Sequence, residues 1–177
     1  MRAKPTIGCH PPENYAENVV LMFQKNEVRS AIEAIHQLNM KTEITIEATV
    51  HVPLEVVWNA WTQPEHITKW NAASPDWHCP KATNDLRDGG KFSSTMAAKD
   101  GSFSFDFEGT HQKVKNHETI ESVMADGRTM KVSFMSTPSG TKVVETFEAE
   151  GENSIEMQRG GWQAILDNFK KHTESLQ

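Results

Sequence analysis

Residues 43 to 70 read "EITIEATVHVPLEVVWNAWTQPEHITKW", a strand, a proline and two short helices in immediate succession. Over 43 to 51, Ile44, Ile46, Ala48 and Val50 alternate with Glu43, Thr45, Glu47 and Thr49, the period of two that marks a half-buried strand. Pro53 suits the first turn of a helix, where a missing N–H costs nothing, and Leu54, Val57, Trp58 and Trp61 follow at helical spacing. Pro64 opens a second short helix, "PEHITKW", in which Ile67 and Trp70 lie three apart. Trp58 and Trp61 share one helical face and are expected to close the core, because large aromatics dominate core burial. Trp70, at the end of the next helix, is expected at a pocket rim.

Downstream of this stretch, residues 82 to 150 hold the turn signals "DGG", "KDG", "KNH", "ADG" and "PSG" between runs of strand length. Connections this short join antiparallel neighbours, so about six strands in a meander are expected. Residues 154 to 175 place Trp162, Ile165, Leu166, Phe169 and Thr173 at helical spacing, and Lys170, Lys171 and His172 suit the C-terminal dipole. One long amphipathic helix needs a partner for its apolar face, and the sheet is the available one. The expected architecture is α+β: a curved antiparallel sheet around a long C-terminal helix, with space between them where the two do not touch. Gly160 and Gly161, each costing about 1 kcal/mol inside a helix, are expected to permit close packing. Upstream, Val28, Ala31, Ile32, Ile35 and Leu38 form one apolar stripe. Residues 1–40 are therefore read as an N-terminal helical arm and 41–177 as the main domain, with a homodimer through the arm as the partner expectation for that stripe.

The totals remove several functions. With 37% hydrophobic residues, 24% charged residues and a net charge of −6, the 177-residue chain reads as a folded, acidic protein. It lacks the clustered Lys and Arg that a nucleic-acid surface needs, and no window approaches the roughly 18 apolar residues of a membrane span. No secretory signal is apparent at the N-terminus, and two cysteines are too few for a disulfide framework, so a cytoplasmic location is expected. Cys9-His10 and His78-Cys79 do not have zinc-ligand spacing, and no metal or cofactor is expected. No nucleophile elbow, phosphate loop or His-x-x-x-His pair occurs; "RDGGKF" reads as a turn entering a strand.

Taken in order, "ATVHVPLEVVWNAWTQPEHITKWNAA", "DLRDGGKF", "FEGTHQKVKNHETIESV" and "GGWQAILDNFKKH" resemble the activator-of-heat-shock-protein-ATPase-like branch of the START-related superfamily, also called SRPBCC, over about residues 43 to 175. The resemblance implies a helix-grip fold, with six or seven strands holding the C-terminal helix over a deep cavity. Relatives include polyketide cyclases, lipid-transfer domains and plant hormone receptors, which share the cavity more than a reaction. The chaperone activators of that branch carry a further N-terminal domain that 39 residues are too few to supply, which weakens chaperone binding as a partner expectation without removing it. Where the family usually shows Gly-Thr-Tyr, this chain has Gly109, Thr110 and His111.

In "SFSFDFEGTH", Phe103, Phe105 and Phe107 share one strand face, and Gly109 and His111 keep the same phase unless a bulge intervenes. In "TKVVETFEA", Val143, Glu145 and Phe147 group together, so Glu145 is expected to face inward, where it meets His111 or orients a ligand. Trp70 and Trp77, flanking "NAASPDWHCP", which is read as a loop that the resemblance places near the cavity mouth, and Phe92, Met96, Phe134 and Trp162 complete the expected lining. The leading expectation is a small, largely hydrophobic or aromatic ligand in the cavity. Two alternatives stay open: a cyclase- or hydrolase-like enzyme using His111 and Glu145, and a protein-interaction module.

Overall fold

The computed structural model describes residues 41–177. The helical arm and the dimer contact expected in residues 1–40 lie outside the described residues.

The alternating stretch forms β1 (Glu43–Val50), with Ile44, Ile46 and Val50 buried. Helix α1 (Leu54–Thr62) follows with Pro53 as its N-cap, and α2 (Pro64–Trp70) begins on a proline, as the spacing predicts. Six strands come next: β2 (Trp77–Asn84), β3 (Lys91–Ala98), β4 (Ser104–Lys115), β5 (Thr119–Met124), β6 (Thr129–Thr137) and β7 (Gly140–Glu148). The sheet order is β1-β7-β6-β5-β4-β3-β2, with every neighbouring pair antiparallel. β2 to β7 are thus a meander, and α1 and α2 carry the chain from one sheet edge to the other. The sheet curls into a half-barrel, and α3 (Ile155–Glu174) lies in its concave side.

Helix α3 starts where Ser154 accepts a hydrogen bond from the Met157 N–H at 3.1 Å, an N-cap that satisfies one of the orphan donors of the first turn. It buries Leu166, Phe169 and Thr173, and it leans on β1, where Arg159 donates to the Thr45 carbonyl at 2.8 Å. Val57, Trp58, Ile67, Phe134, Val143, Leu166 and Phe169 form the core between helices and sheet.

Three local features differ from the sequence reading. "NAASPDWHCP" is only partly a loop, because β2 begins at Trp77. Pro80 fits there because β2 is an edge strand with a register shift between His78 and Lys81, so the missing N–H interrupts no ladder. Gly160 and Gly161 do not serve close packing: a Cβ at either would meet nothing within 4 Å. Trp58 and Trp61 do not form one core pair. Trp58 is buried against Phe134, whereas Trp61, one turn nearer the helix end, is only partly buried and stacks on Trp70 with centroids 5.2 Å apart. The tight turn at Gln63 folds α2 back on α1 and brings those two rings together.

Candidate functional site

Between the concave sheet face and the helices lies a cavity of about 230 Å³. Six aromatic rings line it: Trp61 and Trp70 from α1 and α2, Phe92 from β3, Phe105 and Phe107 from β4, and Trp162 from α3. Met96, Ile120, Met130, Val132 and Ile165 add aliphatic surface. Trp70 is fixed by its indole N–H, which donates to the Ala60 carbonyl at 3.0 Å, and by ring contacts with Trp61 and Phe169, centroids 5.2 and 5.1 Å away, so its polar edge is spent and the part of the ring that reaches the cavity is apolar. Phe105 is 46% exposed and marks where the cavity meets solvent.

The polar side chains of the lining also include Asn71, Thr83 and Ser94, but its two buried ionisable side chains stand in contrasting surroundings. The first centres on His111 in β4. Its backbone is pinned by the "DGG" turn: the Gly89 N–H donates to the His111 carbonyl and the His111 N–H to the Gly90 carbonyl, both at 2.8 Å. That turn demands its glycines, since Gly89 has φ +76° and a Cβ at Gly90 would lie 1.9 Å from the Asp85 carbonyl oxygen. A bulge between His111 and Lys113 shifts the register immediately afterwards, so Val114 rather than Lys113 turns inward, and Asp88 holds it by accepting from the Val114 N–H at 2.7 Å.

The His111 ring is buried and stacks on Phe92, centroids 5.2 Å apart. Its two nitrogens are both engaged, and the chain of partners sets their roles. The Asn84 side-chain amide donates to the Thr62 carbonyl at 2.7 Å, which leaves its oxygen to accept from His111 Nε2–H, also at 2.7 Å. His111 Nδ1 must then accept from the Ser122 hydroxyl at 3.0 Å, which fixes a neutral imidazole protonated on Nε2. Burial lowers the His111 pKa, against a smaller opposing pull from Asp85.

The second is Glu145. It sits on β7 beside Ile46 of β1 and Val132 of β6, is 5% exposed, and lines the cavity. Among the described residues no hydrogen bond or ion pair reaches its carboxyl. Burial pushes its pKa up to about 8, so the group is largely a neutral acid at neutral pH. His111 and Glu145 do face the same space but do not meet: β5 and β6 stand between their strands. No Lys or Arg lines the cavity among the described residues.

The family of Activator of Hsp90 ATPase homolog 1-like proteins matches residues 51–174. The chain belongs to this family. The solution structure of an AHSA1-like protein from Aeromonas hydrophila shares 48% identity, covering 76% of this chain and 94% of that one, with a TM-score of 0.73. A solution structure from Cytophaga hutchinsonii shares 50% identity over 76% of this chain and 93% of that one, TM-score 0.66. A crystal structure from Nitrosomonas europaea, at 20% identity, covers 78% and 97% with a TM-score of 0.67 and supports the fold alone. No curated protein matches the chain.

In this family member, eight of the eleven expected site residues line one cavity: Trp70, Phe92, Met96, Phe105, Phe107, His111, Glu145 and Trp162. Three lie elsewhere. Trp77 sits on the β2 edge and packs edge-on against Phe103 and Phe105, centroids 6.2 and 6.1 Å away. Phe134 faces inward but is covered by Trp58 and Trp61. Phe147 is buried beneath Trp162, with ring centroids 3.9 Å apart, and so supports a lining ring without forming the wall. Sequence reasoning missed Trp61, Asn84 and Ser122. The strand "TIESVM" did carry a signal, since Ser122 falls in phase with Ile120 and Met124 in an otherwise apolar row, and all three are buried.

Among the described residues, no helix is long and apolar enough to cross a membrane.

Proposed function

We propose that this protein binds a small, largely hydrophobic or aromatic molecule in the cavity between sheet and C-terminal helix. The observation that carries the reading is the cavity itself, about 230 Å³ walled by six aromatic rings in which the polar groups are few and placed at separate points. A cavity of this composition gains affinity from apolar burial and shape, and orients its guest through a polar contact. The test is native mass spectrometry of protein purified without additives, together with titration by the neutral aromatic ketone benzylacetone followed through tryptophan emission. Trp61, Trp70 and Trp162 report directly on the cavity. A bound mass, or saturable ketone binding, is expected. A bare protein whose emission does not respond to the ketone would overturn the reading.

A second reading, an enzyme of cyclase or hydrolase kind, is favoured by one observation, the hydrogen-bonded series Ser122, His111 and Asn84, which has the order of nucleophile, base and orienting group. Ser122 sits on a central strand flanked on both sides by paired neighbours. Its backbone is therefore committed to the sheet and offers poor support for a developing oxyanion. Binding is the better-supported function. Ester turnover that vanishes in both Ser122→Ala and His111→Ala, with ketone affinity retained, would reverse that order.

A further inference from the structure

We infer that the cavity selects a hydrophobic amine, bound as its ammonium ion with the nitrogen against Glu145 and the apolar body among the aromatic rings. This deepens the ligand-binding reading and rests on it. Three features of the cavity converge. Glu145 is 5% exposed, faces the cavity, and among the described residues has no hydrogen-bonding partner. A carboxyl buried without a partner is costly, and a guest relieves the cost either as an ammonium paired with the carboxylate or as an acceptor for the protonated acid. The lining supplies no standing cation, since it contains neither Lys nor Arg among the described residues.

The walls favour the same guest. Trp61 and Trp70 stack on each other and Trp162 stacks on Phe147, which takes one face of each ring; the indole surface they still turn to the cavity is of the kind that attracts cations most strongly, and a desolvated ammonium gains more from it than an exposed one. An anionic amphiphile such as a fatty acid would meet the reverse situation, with no cation to pair with and an acidic group already in the pocket. His111 does not compete for the carboxyl or supply a charge, because both of its nitrogens are committed to Asn84 and Ser122. The groups facing Glu145 from its neighbours are uncharged: Ile46 from β1, Val132 from β6, and Trp162 and Ile165 across the cavity on α3. Among the described residues, the only other titratable side chain in the lining is His111.

Proton balance gives the inference a signature that separates it from its rivals. Burial holds the empty site's carboxyl protonated up to about pH 8. An ammonium ion pairing with the carboxylate displaces that proton to solvent, so its affinity rises with pH, by up to about tenfold per unit below 8. A neutral carbonyl compound would instead accept a hydrogen bond from the protonated acid, and its affinity would fall as pH rose past the same point.

The experiment titrates the full chain with three probes of similar shape, phenylbutylamine, benzylacetone and phenylbutyrate, by isothermal calorimetry in two buffers of different ionisation enthalpy. The amine is expected to bind most tightly, to release close to one proton at neutral pH, and to gain affinity with rising pH. Glu145→Gln keeps the size of the side chain and is expected to weaken the amine at least tenfold while leaving the ketone within a few fold. Melting curves of the variant check that it is folded. Tighter binding of ketone than of amine, or an amine affinity unchanged in Glu145→Gln, would overturn the amine inference and leave cavity binding standing. Failure of all three probes would overturn the amine inference, and together with a bare mass in native mass spectrometry it would remove cavity binding as well.

Discussion

The two ionisable groups of the cavity are buried to a similar degree, His111 at 5% and Glu145 at 5% exposed, yet they are opposite in kind. His111 belongs to a series that runs from the Thr62 carbonyl through Asn84 and the imidazole to Ser122, in which both ring nitrogens are engaged. Glu145, three strands away on β7, has no partner among the described residues. The difference teaches where to look for structure and where for function. A satisfied buried network holds a fold in one arrangement, whereas an unsatisfied one is a standing cost that a stable fold has no reason to keep unless a guest relieves it.

The largest effect that tests this contrast is the dependence of stability on pH. The folded pKa of Glu145 is raised from 4.5 to about 8, so its contribution is fully present below 4.5 and is lost as pH rises through 8. Across that window the ligand-free protein is expected to lose up to about 1.4 kcal/mol per pH unit through this one group. Glu145→Gln removes that slope. Denaturant unfolding of the two proteins at both ends of the window measures it, and parallel profiles would show that Glu145 has a partner or solvent in the folded state. His111 works in the other direction. Its folded pKa is depressed, so its contribution is complete above 6.5 and is lost as pH falls through the lower folded value.

The next effect is the loss of the joint in the satisfied series. Asn84→Leu leaves both the Thr62 carbonyl and His111 Nε2–H without the partner they now have. Leaving buried groups unsatisfied costs about 1–3 kcal/mol each, so a loss of roughly 2–6 kcal/mol is expected. Glu145→Leu, an equally drastic change of polarity at a more deeply buried site, is expected to be neutral or stabilising at pH 7 because it removes a desolvated carboxyl and leaves no partner behind. Opposite signs for the two leucine variants, read from urea midpoints, are the prediction; equal losses would erase the distinction between the two groups.

How far this contrast could be read in the sequence depended on periodicity. The inward phase of Glu145 followed from Val143, Glu145 and Phe147 alternating in β7, and that of His111 survived because the β4 bulge falls after it rather than before. Trp77 was misplaced because the irregular start of β2 gives no phase to count from. Trp61 was misplaced for another reason: a shared helical face says which residues point the same way, but the end of α1 passes from core to cavity within one turn. Asn84 could not be found at all, since its role comes from joining the end of α1 to β4, a meeting of three elements far apart in the chain.

The smallest effect concerns the direction of the satisfied series. If Asn84 sets it, through the amide that must donate to the Thr62 carbonyl, then Ser122 is only its last member. Ser122→Ala removes one hydroxyl and leaves His111 Nδ1 as an acceptor without a donor, in the wall of a cavity with room for water. A loss of about 1 kcal/mol is expected, well below that of Asn84→Leu. More telling than the size is the tautomer: His111 should remain protonated on Nε2, because the Asn84 oxygen still accepts from it. Nitrogen NMR of the imidazole in the variant distinguishes the cases. A switch to the Nδ1-protonated form would mean that the Ser122 hydroxyl, not the end of α1, orients the ring.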